Sequence, residues 1–333
     1  MKNYAAPDSL PPEIRERLAA HRVSRSLRRP SRVFIDTTDF SSIDYGDIIR
    51  IEDRYFLITA YTKEGRFGVD EQIKPWVPRV EELASGNKYI IKLVFYETFE
   101  IRLGHYLITY YRTPEKEASI LEQMSGHPHF MQGEALLDSA DNLVRVLVPI
   151  NGTRLDKYIH RQRCSHEEYF FTLLPSVLRR YLKAVEAIGL LHAKGFRHGD
   201  IRRDHIFVER SSGIFSWIDF DYDFYLPERP FALDIYELGN ILLYLIGRGN
   251  YHPREIADSP ELGSAALNSL EESDLSLLSQ NRVVNLKKLF PYIPEKLNTI
   301  LLHFSTASNV FYESAEELHT DLAAAVEDFD QIP

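Results

Sequence analysis

Apolar residues fall in short β-prone runs through the first half of the chain and at helical spacing through much of the second. Residues 48–61 read as two strand pieces, 76–83 and 88–99 as a hairpin across Ala84-Ser85-Gly86-Asn87, and 143–150 as another strand. One helix interrupts them, opening at Thr113-Pro114, a cap followed by proline at the first helical position, and closing near Gly126-His127-Pro128. A long amphipathic helix is predicted over 176–193, stopped by Gly195. Residues 234–246 are apolar on nearly every side, as a central buried helix would be, and helices continue towards the C-terminus. The change from strands to helices places a boundary near Asn151-Gly152-Thr153. The expected organisation is an N-terminal extension (1–45), a strand-rich lobe (46–150) and a helical lobe (151–333), an α+β fold.

Two charges break this pattern. Glu117 shares a helix face with Ile120, Leu121 and Met124, and Lys92 sits in the otherwise apolar strand Y-I-I-K-L-V-F. A buried carboxylate without a cation costs several kcal/mol, so each is a candidate partner for the other. The bland alternative is that each reaches solvent on its own.

A second cluster lies in H-G-D-I-R-R-D-H-I-F, from His198 to Phe207, followed by W-I-D-F-D. The runs 206–209 and 214–218 flank Ser211-Ser212-Gly213 and read as an antiparallel hairpin. With Ser212 at the tip, His205 and Asp219 stand opposite each other, their Cβ atoms about 5 Å apart. Metal ligands would then converge beside Asp200, as metal-assisted phosphoryl transfer requires.

Composition sets the frame for such a site. With 333 residues, 44% of them apolar, the chain can bury a large core and should form two lobes. The single cysteine, Cys164, has no internal disulfide partner and reads as a half-buried structural thiol, which fits a reducing, cytoplasmic location. The longest apolar stretch, 241–246, falls far short of a bilayer, and we expect neither a membrane partner nor an export signal. The net charge of −10 is uneven: residues 1–32 carry eight Lys or Arg against three acids. An anion-binding arm, a solvated extension and a segment docked on the acidic remainder all fit this pattern. We read it as one of the latter two and expect no nucleic-acid partner.

From about Gly46 to Phe329 the residues resemble the protein-kinase-like superfamily. Y-I-I-K resembles the strand motif whose lysine holds nucleotide phosphates, and E-A-S-I-L-E-Q-M-S-G-H-P-H-F is similar to the helix that supplies its glutamate. H-G-D resembles the catalytic loop, D-F-D the metal motif, D-I-Y-E-L-G the helix whose aspartate braces that loop, and F-Y-E-S-A-E-E-L-H-T-D-L the last helix of Ser/Thr kinases. The resemblance implies a bilobal fold with ATP between the lobes and Mg²⁺ or Mn²⁺ on its phosphates. It implies Lys92 as nucleotide anchor with Glu117 as its partner, Asp200 as base, Arg202 as neutraliser of the transferring phosphate, and Asp219 with His205 as metal ligands. Gly65 and Gly68, in G-R-F-G, resemble the end of a phosphate-cradling loop, Val77 falls at the adenine-stacking position, and Val148 and Ile150 belong to the inter-lobe hinge. Counting back from Lys92 conflicts with this glycine register unless a short insertion lies around Ile73-Lys74-Pro75.

The chain also departs from the pattern. His205 replaces the expected asparagine, which favours Mn²⁺ over Mg²⁺, unless the ring only orders the loop. Gly199 replaces the arginine that pairs with a phosphorylated activation segment. Only fourteen residues separate Asp219 from Asp234, A-P-E is absent, and Phe311 stands where its arginine partner is usual. H-G-D is also favoured by aminoglycoside- and choline-type kinases. Three readings stay open: a Ser/Thr protein kinase, a kinase for a small hydroxyl substrate, and a nucleotide-binding pseudokinase acting as a binding module.

Overall fold

The computed structural model describes residues 4–66, 69–103, 106–259, 262–279 and 281–329. It is a mixed α+β protein. The chain begins with β1 (Tyr4–Ala5), α1 (Pro12–Ala20), α2 (Arg22–Ser26) and β2 (Val33–Phe34). Strands β3 (Ile48–Ile51), β4 (Arg54–Arg66), β5 (Val69–Glu82) and β6 (Lys88–Lys92) follow. Next come β7 (Thr98–Leu103), β8 (Tyr106–Arg112), α3 (Pro114–Gln123), β9 (Gly133–Leu137) and β10 (Leu143–Leu147). The second half holds β11 (Gly152–Arg154), α4 (Leu155–His160), α5 (His166–Thr172), α6 (Leu174–Ala193), β12 (Ile206–Glu209), β13 (Phe215–Trp217) and β14 (Tyr222–Phe224). It ends with α7 (Ala232–Gly247), α8 (Pro253–Ala257), α9 (Gly263–Asn268), α10 (Glu295–Leu302) and α11 (Ala315–Phe329). Among the described residues, no helix is long and apolar enough to cross a membrane.

The chain divides into two compact units, residues 1–97, 112–127 and 131–150 against residues 98–111, 128–130 and 151–333. The first is built on an eight-stranded sheet in the order β1-β2-β3-β4-β5-β6-β10-β9. Consecutive apolar pairs in its strands point to opposite faces. Ile49, Phe56 and Ile58 join Phe34, Val80, Ile91, Val144 and Val146 in one core. Ile48 and Leu57 join Leu10, Ile14, Leu18, Val23, Val33 and Leu83 in another.

That second core makes residues 4–45 a docked part of the first unit, not a separate solvated extension. Strands β1 and β2 belong to the sheet, and α1 and α2 supply the apolar cover for its other face. Several basic residues of this segment bond within the unit. Arg29 and Arg32 donate to the buried carboxylate of Asp47, at 2.6 Å from Arg29 Nη1 and 3.1 Å from Arg32 Nε. Burial alone would raise the Asp47 pKa, but these cations and the amides of Arg32 and Asp44 hold it below its ordinary value. Arg17 reaches the carbonyl oxygens of Leu83 and Ala84.

Several sequence boundaries also move. The strand expected over 88–99 ends at Lys92, and a new strand, β7, begins at Thr98 and belongs to the other unit. Pairing of β4 with β5 jumps from Tyr61↔Pro78 to Lys63↔Ile73, so residues 74–77 of β5 face Thr62 alone. That bulge lies beside the insertion expected at 73–75.

The second unit carries two three-stranded sheets, β11-β12-β13 and β14-β8-β7, with the helices from α4 onwards. Helix α7 is buried along almost its whole length, and Gly239 is required there because a Cβ would lie 2.3 Å from the Phe304 ring. Trp217 of β13 is fully buried and donates its indole N–H to the Ala184 carbonyl of α6 at 2.9 Å, which seats the β12–β13 hairpin on that helix.

Candidate active site

In the first unit, strand alternation turns Ile91 and Val144 into the core and leaves Lys92 and Arg145 on the other face, directly paired across β6 and β10. Two cations so placed would repel. Helix α3 supplies the remedy: Thr113 caps it by accepting from the Lys116 amide, Pro114 opens it, and the first turn carries Glu117. Glu117 Oε1 accepts from Lys92 Nζ at 2.7 Å and Oε2 from Arg145 Nε at 3.2 Å. All three side chains are at most 5% exposed. Arg145 further donates to the Leu143 and Leu93 carbonyl oxygens at 2.8 and 3.4 Å. Lys92 and Glu117 therefore meet, but as two members of a buried triad. Arg145 escaped the sequence reading although L-V-R-V-L carries the same signal as Y-I-I-K, one charge in an apolar strand.

The other residues expected to hold nucleotide in this unit are spread along the sheet. Val77 is buried on β5, and its carbonyl accepts from Thr62 Oγ1 at 2.9 Å. Gly65 lies within β4, one residue before its end, while Gly68 lies outside the described residues. Val148 is exposed and Ile150 half-buried, just beyond the end of β10, with the Val148 amide donating to Gln132 O at 2.8 Å.

In the second unit the loop after α6 is organised by Asp234, in the first turn of α7. Asp234 Oδ2 accepts from the His198 amide at 2.7 Å and Oδ1 from the Gly199 amide at 3.0 Å. His192 Nε2 approaches Oδ2 at 3.0 Å, its ring stacked on Phe231 with centroids 4.2 Å apart. Burial would raise the Asp234 pKa, but the His192 hydrogen bond and charge, with further help from His198 and the Gly199 amide, leave it lowered. Gly199 adopts φ +83°, a left-handed conformation that glycine takes without strain and that lets both amides face one carboxylate.

Asp200 follows directly. His205 Nδ1 lies 2.8 Å from the Asp200 carbonyl oxygen, and since a carbonyl only accepts, Nδ1 carries the proton. Nε2, the other ring nitrogen, lies 3.5 Å from Asp219 Oδ2. Burial raises the Asp200 pKa; His205 and Arg202 oppose this, and Asp219 and Asp221 add to it. A raised carboxylate close to a hydroxyl is suited to accept its proton. Asp221, buried at 3% exposure, was not singled out from the sequence.

One expectation for this unit changes. The β12–β13 register is Ile206↔Trp217, and the Ile218 amide donates to His205 O, so His205 faces Ile218 rather than Asp219. Asp219 nevertheless approaches the ring because its own φ is +63°, which turns the chain out of the ladder. Arg202, exposed, donates in bidentate fashion to Asp204 at 3.0 and 2.8 Å, so its guanidinium is engaged with a neighbouring acid. The donor chemistry of His205 and Asp219 fits a divalent cation: an imidazole whose other nitrogen is tied to a carbonyl, beside a carboxylate.

No family model matches this chain. Over 184 residues it is 23% identical to sperm motility kinase Z of Mus musculus, a match covering 45% of this chain and 36% of that protein. This chain has a distant kinase relative. It spans little more than a third of that relative's length.

Proposed function

We propose that this protein is an ATP-dependent phosphotransferase of bilobal protein-kinase-like fold, passing the γ-phosphate to a serine or threonine hydroxyl of a protein. The observation that carries the reading is the buried Lys92–Glu117 pair, because a lysine fixed by a helical carboxylate on a central strand is the arrangement that anchors nucleotide phosphates. Arg145 holds the second oxygen of Glu117 and so fixes the carboxylate that fixes the lysine. Asp200, with its raised pKa, orients the acceptor hydroxyl and takes its proton. His205 and Asp219 would hold Mg²⁺ or Mn²⁺, which when bound neutralises charge on the β- and γ-phosphates. No covalent intermediate is needed, since positioning and charge neutralisation suffice.

The distant kinase relative supports phosphotransferase chemistry. One observation favours a second reading, a small-molecule acceptor: fourteen residues between Asp219 and Asp234 leave little chain to build a peptide-docking segment. Labelled ATP offered with a degenerate Ser/Thr peptide library and, separately, with a panel of aminoglycosides, choline and sugars separates the two. Label in peptides supports the first reading; label only in metabolites replaces it with the second. Binding of nucleotide with no label in either leaves a pseudokinase.

A further inference from the structure

The strand that follows D-F-D is not a free segment. β14 lies beside β8 in the sheet β14-β8-β7, and the Tyr225 amide donates to Thr109 O at 3.1 Å. The hairpin β7–β8 thus takes the chain after Asp221 as its third strand. Side chains reinforce the pairing: Phe224, fully buried, clusters with Ile108 and Leu233, and its ring lies 5.6 Å from that of Tyr110. Phe99 stacks on Tyr110 at 5.5 Å and meets Tyr222 edge-on at 5.8 Å. Upstream, the buried Phe220 ring packs 4.6 Å from His198, so the motif is gripped on both sides of Asp221.

One ion pair ties this strand to the loop bearing Asp200. Arg197 Nε lies 2.7 Å from Asp223 Oδ1, both side chains largely buried, and the Arg197 guanidinium sits 4.9 Å from the Phe224 ring centroid. Arg197 immediately precedes His198, whose amide is held by Asp234. A carboxylate on the segment and an arginine on the loop make the same charge-assisted contact that a phosphate added to a segment makes when it orders one. Moreover, residues 219–234 contain no serine or threonine; their hydroxyl groups are those of Tyr222 and Tyr225.

We propose that the β7–β8 hairpin and the Arg197–Asp223 pair form a resident clamp that holds the Asp219 segment in its working position, so that activity needs no phosphorylation of that segment. Arg197 and Asp223 are positioning residues in this scheme, and the proposal rests on the phosphotransferase reading above. Its test combines turnover with backbone amide exchange in the full chain, for wild type before and after phosphatase treatment and for Tyr225→Phe, Asp223→Asn and Asp223→Glu. Phosphatase and Tyr225→Phe are expected to leave kcat unchanged. Asp223→Asn should speed exchange across 219–226 and lower kcat about tenfold with KM for ATP little altered, and Asp223→Glu should recover most of both. A thermal melt of each variant separates loss of the clamp from loss of the fold. The proposal is overturned if Asp223→Asn exchanges and turns over like wild type, or if phosphatase silences the wild type. Exchange is read without turnover. A clamp seen in a chain that moves no phosphate would therefore point to failure of the phosphotransferase reading, and would end the catalytic purpose assigned to the clamp with it.

Discussion

Glu117 in the first unit and Asp234 in the second are both removed from solvent, at 0% and 2% exposure, yet their charges are met by different means. Glu117 is answered by two side-chain cations from neighbouring strands. Asp234 is answered by two backbone amides and a histidine. The first arrangement fixes a side chain, Lys92, and the second fixes a loop backbone, that of His198 to Asp200. The contrast predicts which substitutions unfold the protein and which only loosen a loop.

Removing Glu117 has the largest expected effect. Glu117→Ala leaves Lys92 and Arg145 facing each other in the interior and should cost about 3–5 kcal/mol, read from the midpoint of urea unfolding. A midpoint unchanged from wild type would mean that the triad is not buried as described. Leu18→Ala should cost about 2–5 kcal/mol, because α1 covers a core face of the sheet. A loss below about 0.5 kcal/mol, the range of ordinary surface changes, would return residues 1–45 to the status of an extension.

Asp234→Asn keeps shape but gives up charge, and should cost about 1–3 kcal/mol. The sign of its pH dependence is fixed by the lowered pKa in the folded state. The contribution of Asp234 is complete above the ordinary aspartate value of about 3.9 and is lost as pH falls through the lower folded value. The gap between wild type and Asp234→Asn should therefore hold constant near neutral pH and close in acid. A gap that widens on acidification would contradict the assignment. The smallest effect is expected at Cys164, half-buried and free: Cys164→Ser should change stability by no more than about 0.5 kcal/mol and leave nucleotide binding intact, which a melt and a titration would check.

The same contrast explains what the sequence disclosed. Lys92 and Glu117 were legible because a charge on an apolar strand or stripe violates its own pattern, and Arg145 broke the pattern in the same way without being noticed. The hold of Asp234 on two amides leaves no such trace, since backbone donors have no letter; only family resemblance pointed to it. The hairpin was visible in its two runs around Ser211-Ser212-Gly213, but its register was off by one residue, a difference set by turn geometry. Docking of the N-terminal helices was written in the consecutive apolar pairs Ile48-Ile49 and Phe56-Leu57, which require cover on both sheet faces. The sheet β14-β8-β7 joins segments more than a hundred residues apart and has no local signature at all.

Whether Asp200 takes the acceptor proton is read from transfer of label from γ-labelled ATP, measured for wild type and for Asp200→Ala at matched nucleotide occupancy. Labelled acceptor or autophosphorylated chain is expected from the wild type, and at least about a hundredfold less from a variant that still binds nucleotide. Equal labelling by both proteins, or none by a wild type that binds ATP with either Mg²⁺ or Mn²⁺, would contradict the proposed function.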